Sequence, residues 1–324
     1  MTNWNPTVEL AEWCRLSMPF EAASISPDGR WGAVSMSESC GIVDLRPETG
    51  MYELARLGWE DYDKDDGTTY HALGTAFGAD SEFVAFTREN EVLAYATPEY
   101  TGEANAVGWD RTWSDRLDGT VTDVSVGAAG ELLGCVTAAG ELSLYGNFPD
   151  FPDRETVDNA SPAALAFVAV HPERELVLSG GDARSASVRG VGEGELASIE
   201  SDAPISDGYW LSDDEFVLCD RGDTVYWCSY DHDSRTIAVE ATVSAGVDAA
   251  RAVRITDDGS RLLVGGDGGL AVFDVENWDR HGRPPLERTL GFGVCRTLAV
   301  GRSVLVGGGD EDESFLKLFE QPDA

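Results

Sequence analysis

Hydrophobic positions in this chain fall in short runs set apart by Gly, Asp, Asn and Pro, and no stretch carries the apolar spacing of an amphipathic helix. Runs of that length, rich in Val, Leu, Phe and Tyr, read as strands. One phrase recurs: an apolar strand, a polar turn, a second apolar strand, a Gly/Asp turn, a third strand. Its copies span 21–46, 72–97, 120–147, 164–190, 205–230, 250–276 and 295–321. The second strands begin near Trp31, Glu82, Glu131, Glu175, Glu215, Arg261 and Ser303, a mean interval of about 45 residues, and four-stranded propeller blades repeat every ~40–45.

The pattern therefore predicts an all-β fold: a seven-bladed β-propeller of four-stranded antiparallel blades, one domain over 1–324, with blades beginning near 20, 71, 120, 163, 205, 249 and 293. Six or eight blades would follow from other groupings of the same strands. Weaker apolar runs such as 51–57, 194–200 and 236–243 supply the fourth strands of copies one to six. The seventh copy has no residues left for one, whereas TVELAEWCRL (7–16) precedes the first copy without a place of its own. The economical arrangement is that this N-terminal run completes blade seven and closes the ring, which removes exposed strand edges.

The turns carry a resemblance. ISPDGRWGAVS (25–35), AVHPERELVLSGGD (169–182) and ITDDGSRLLVGGDGGLAVFD (255–274) are similar to the repeats of the WD-repeat family, with Phe273-Asp274 standing where that family has Trp-Asp. The family's Gly-His dipeptide and the Trp-Asp pair itself are missing. The resemblance implies a rigid disc whose loops bind protein or peptide partners.

Charge changes the setting. The formal net charge is −36 and basic residues number 23, of which only Lys64 and Lys317 are lysines. Acidic residues recur through nearly every loop. Self-repulsion of this size strains a compact fold in dilute buffer. At about 1 M salt the screening length falls to about 3 Å, so composition points to a salt-accumulating, reducing cytoplasm. No apolar run is long enough to cross a membrane as a helix and no secretory leader is visible. A basic stripe for nucleic acid is not expected with 59 acidic residues against 23 basic ones.

Candidate chemistry is sparse. The six cysteines, Cys14, Cys40, Cys135, Cys219, Cys228 and Cys295, are spread through strand-like segments and read as buried thiols. The acidic stretch 60–67 departs from a calcium loop at the sixth and twelfth positions, and it and 310–313 read as solvated loops. The clusters Gly180-Gly181, 265–269 and 307–309 precede strands rather than helices and read as hairpin turns. The four histidines, His71, His171, His232 and His281, are assigned to separate blades, with no pair expected at a common metal or proton-transfer point. No catalytic residue, metal or cofactor is therefore expected.

The chain reads as a non-enzymatic interaction platform, monomeric by itself, with a protein or peptide partner. The alternatives are a propeller hydrolase or lactonase with carboxylates in the central funnel, or a small-molecule sensor. The expected docking face holds the turns between second and third strands, with Arg88, Arg184 and Arg221, and the loop carrying Trp59 and Tyr62. Arginine and aromatic residues dominate binding hot spots. The competing expectation is that each arginine pairs with a neighbour such as Glu89, Asp182 or Asp220.

Overall fold

The computed structural model describes residues 8–9, 19–36, 39–46, 54–57, 72–97, 111–127, 130–148, 153–157, 160–276, 278–280, 284–309 and 314–320. They form seven four-stranded antiparallel sheets, and no helix occurs among them. Six sheets follow the chain from inner to outer strand. The seventh has the order Cys295–Val300, Ser303–Gly309, Ser314–Glu320 and then Val8–Glu9 from the other end of the chain. Val8 pairs with Leu318 and Glu9 with Lys317. The expected closure by the N-terminal run is thus present.

The inner strands are Phe20–Ile25, Thr75–Phe77, Val121–Val126, Leu165–Val170, Ile205–Trp210, Asp248–Ile255 and Cys295–Val300. They surround a central channel, and the second and third strands of each blade are almost wholly buried. The core lies between blades: Phe167 of blade four packs with Trp210, Phe216 and Leu218 of blade five, and Val264 and Phe273 of blade six with Val217 and Trp227 of blade five. Each such side chain contributes roughly 1.5–3 kcal/mol of burial. The outer strands alternate between exposed and half-buried residues, as in Asp153–Val157 and Gly194–Glu200.

The turns after the inner strands show why the Ser/Thr-x-Asp-Gly pattern recurs. In blade one Ser26 Oγ donates to Asp28 Oδ1 at 2.5 Å, and Asp28 Oδ1 accepts the Arg30 N–H at 2.9 Å. Ser26 Oγ accepts the Trp31 N–H at 2.8 Å. Blade six repeats the arrangement with Thr256, Asp258, Ser260 and Arg261. Burial opposes ionisation of both aspartates, yet these hydrogen bonds outweigh it and hold Asp28 and Asp258 below the usual carboxylate range.

The glycine clusters correct one expectation. Gly180 and Gly181 end the strand Leu176–Gly181, and Gly307–Gly309 end Ser303–Gly309; they are not the tips of hairpins. A Cβ on Gly181 would stand 2.2 Å from the carbonyl of Ala164, and one on Gly308 2.0 Å from that of Val294. The chain leading into each inner strand passes directly over these positions, and that close approach requires glycine. The turn at Gly268-Gly269 uses positive φ as expected, and Gly309 also has positive φ, 133°, at the end of its strand.

Candidate interaction face and channel

Each of six inner strands has a β-bulge near its start, for example between Val121 and Asp123, Ile205 and Asp207, and Cys295 and Thr297. The residue after the bulge reaches the neighbouring blade wherever it carries an acceptor. Asp123 Oδ2 accepts the Val168 N–H at 2.9 Å, Asp207 Oδ2 accepts the Val253 N–H at 2.9 Å, and Thr297 Oγ1 accepts the Ala23 N–H at 2.8 Å. These are blade-to-blade clips, and the third joins blade seven to blade one.

The two clip carboxylates lie along the channel. Asp207 also accepts from Gly208 N–H at 2.9 Å and from Arg254 Nη1 at 2.5 Å. Asp123 accepts the Val124 N–H at 2.8 Å. Burial dominates for both and raises them; Asp123, with the Asp207 charge adding to the effect, is pushed up to about 7 against the Val168 hydrogen bond that lowers it. Their oxygens are engaged by main-chain N–H groups, so the pair holds neighbouring blades together.

The channel runs the length of the inner strands, from Glu21 to Ile25 in blade one and from Thr122 to Val126 in blade three. A cavity of about 510 Å³ is lined by all seven inner strands and by Arg221. Arg221 lies in the turn following Asp220, which pairs with Ile205 at the start of its inner strand, so this turn lies at the end where inner strands begin. Arg184 occupies the corresponding turn of blade four in a left-handed conformation, φ 58°. Both arginines are exposed, and Arg221 Nη1 reaches Asp182 Oδ1 at 3.3 Å across the blade boundary. Arg184 has no ion-pair partner among the described residues.

Arg88 is not presented to solvent. It is 4% exposed and ion-paired with Glu91 across its own turn, and Arg116 Nε joins the same carboxylate at 2.6 Å. The proximity of two arginines outweighs burial and keeps Glu91 below the usual carboxylate range. Trp59 and Tyr62 lie outside the described residues, as do His71, His281, Cys14 and the acidic stretches 60–67 and 310–313. The five described cysteines are free and buried.

At the opposite end two histidines from neighbouring blades turn toward one acceptor. His171 Nε2 donates to the carbonyl of Asp213 at 3.0 Å and His232 Nε2 to the same oxygen at 2.9 Å. The turns after the inner strands of blades four and five and the turn between the third and fourth strands of blade five come together there, which strand spacing alone does not reveal. His171 Nδ1 accepts the N–H groups of Glu173 and Arg174, both at 3.0 Å. Both its nitrogens are therefore spent, its pKa is lowered by burial, and it fills the turn-organising place that Ser26 and Thr256 fill elsewhere. Among the described residues no group of three or more His, Cys, Asp or Glu side chains is placed to hold a metal ion.

Sequence reasoning missed three channel residues, Arg251, Arg254 and Arg296. No family model matches the chain, and no curated protein matches its sequence. Solved structures do. "Structure of U3-55K" superposes with a TM-score of 0.76 at 11% identity, covering 94% of this chain and 96% of that one. "Crystal structure of RRP9 WD40 repeats" gives 0.74 at 11% identity with the same coverages. The fold is that of a seven-bladed WD40-repeat propeller.

Proposed function

We propose that the chain is a non-enzymatic interaction platform whose protein or peptide partner docks on the face where the channel opens beside Arg184 and Arg221. The observation that carries this reading is the exposure of those two arginines at one end of a molecule of net charge −36. A partner's carboxylates meet there the geometry that guanidinium groups bind best, two parallel hydrogen bonds, which strong salt weakens less than a distant charge attraction. Trp59 and Tyr62 belong to the same proposed surface. The WD40-type fold supports the reading because rigid discs of this shape place loops from several blades on one side.

The proposed setting is a high-salt cytoplasm, with the protein monomeric until its partner binds. Among the described residues no helix is long and apolar enough to cross a membrane. Affinity capture of the full chain from its native host in strong salt, with identification of the retained chains, tests the platform. A reproducible protein partner supports it. Turnover of an added ester or lactone by the purified chain, with no retained partner, would replace it by the hydrolase reading.

A further inference from the structure

The central cavity departs from the rest of the molecule in its charge. Its lining includes four arginines, Arg221, Arg251, Arg254 and Arg296, against three carboxylates, Glu21, Asp123 and Asp207. The chain as a whole has 23 basic and 59 acidic residues. A random sample of this sequence would line the cavity mostly with carboxylates, so the reversed balance is a local feature to be explained.

The arginines are arranged asymmetrically. Arg251 and Arg296 occupy the bulges of the inner strands of blades six and seven, and Arg221 stands in the adjoining turn of blade five. The bulges of blades one, three and four hold Glu21, Thr122 and Ala166, and that of blade five holds Ser206. Three consecutive blades thus form a cationic arc on one side of the mouth, with Arg254 deeper on blade six.

Each arginine is tethered by a neighbour while donors remain, and the tether of Arg296, Glu21, itself lines the cavity. Arg251 Nε donates to Asp267 Oδ1 at 3.0 Å, and its two terminal nitrogens make no hydrogen bond among the described residues. Arg296 Nε donates to the Gly309 carbonyl at 3.1 Å and its Nη1 reaches Glu21 Oε2 at 3.3 Å, leaving Nη2. Arg221 meets Asp182, which does not line the cavity. Such tethering fixes the guanidinium groups before a ligand arrives and lowers the entropy cost of binding. The volume, about 510 Å³, falls within the ~300–1,000 Å³ of ordinary small-molecule sites.

We propose that the channel is a binding site for a compact, multiply charged small anion, a tricarboxylate or a phosphate-bearing molecule, gripped by the arc of Arg221, Arg251 and Arg296. The site shares Arg221 with the proposed docking face, but small anions test it without a docking partner.

Citrate and inorganic pyrophosphate are the probes, titrated separately into the full chain at constant ionic strength near 2 M KCl, where non-specific charge effects are screened to a few ångströms. Calorimetry and the thermal midpoint are read for the native chain, for Arg251→Gln/Arg296→Gln, and for Arg174→Gln/Arg235→Gln at the opposite end. The expected result is saturable binding of one probe, weakened at least about tenfold in the channel variant and retained in the control. Should the double variant unfold, Arg221→Gln alone, whose side chain is half exposed, replaces it with a smaller expected loss. Saturation by citrate assigns a carboxylate ligand, and saturation by pyrophosphate assigns a phosphate ligand. No saturable binding of either probe, or equal binding by the channel variants, would overturn the site.

Discussion

Asp207 accepts the main-chain N–H of Val253 at 2.9 Å, and the two residues stand one blade apart, 46 positions along the chain. The same carboxylate is the counter-charge of Arg254. One side chain thus joins blades five and six and neutralises a guanidinium in the channel wall. Replacing Asp207 by Ala leaves both groups uncompensated, and removing one partner of a buried pair costs ~3–5 kcal/mol. Denaturant unfolding of Asp207→Ala in strong salt should show a loss of that size. A loss no larger than that of an exposed control such as Asp213→Ala would contradict the clip.

Asp123 makes the equivalent clip and predicts a pH dependence. Burial raises its pKa to about 7 from 3.8, so between those values the folded state holds a proton that the unfolded chain releases. Its contribution to stability is therefore fully present below the unfolded value and is lost as pH rises through about 7, at up to about 1.4 kcal/mol per pH unit. His171 acts in the other direction: its pKa is lowered by burial, so its contribution is present above the unfolded value of 6.5 and falls away in acid. Thermal midpoints of the parent and Asp123→Asn, followed from about pH 5 to 8, should show a shallower decline toward high pH in the variant. Parallel profiles would mean that Asp123 titrates as an ordinary surface carboxylate.

Much of this architecture was legible in the sequence because the clip and the repeat share one length. Asp123 and Val168 are 45 positions apart, and strand-turn spacing shows the same period without any knowledge of contacts. The exposed turns that hold Arg184 and Arg221 between second and third strands were legible. Arg88 was not, because its two-residue turn places Glu91 directly opposite and the pair closes on itself. Arg251 and Arg254 were missed for a different reason. Strict alternation sends residues three apart to opposite faces of a strand, but the register shift between Asp248 and Ala252 breaks the alternation at Arg251 and lets both line the channel. The meeting of His171 and His232 was hidden because it depends on how two turns of adjacent blades lean, which no periodicity records.

Ring closure rests on a short pairing, Val8 with Leu318 and Glu9 with Lys317. Deleting residues 1–16 should leave the strand Ser314–Glu320 as an open edge, and open edges invite pairing between molecules. Size-exclusion chromatography and light scattering should show aggregates and a lower unfolding temperature. A monomeric truncation of unchanged stability would contradict closure by this run.

A net charge of −36 also sets the response to salt. The unfolding midpoint should climb steeply between about 0.1 and 3 M KCl as carboxylate repulsion is screened. The clips, being buried, should change little over the same range. A flat or falling midpoint would remove the case for salt adaptation.

The central claim is that a partner docks at the channel end beside Arg184 and Arg221. The most direct measurement is the affinity of the partner retained in the native-host capture for two variants at one salt concentration: Arg184→Ser/Arg221→Ser, and Arg174→Ser/Arg235→Ser from the opposite end. The four side chains are all exposed, so both variants should keep the parent's unfolding midpoint. The account predicts a loss of at least about tenfold, or ~1.4 kcal/mol, in the first variant and little change in the second. Equal affinities, or a loss confined to the Arg174/Arg235 variant, would contradict it and move the docking surface to the end where His171 and His232 meet.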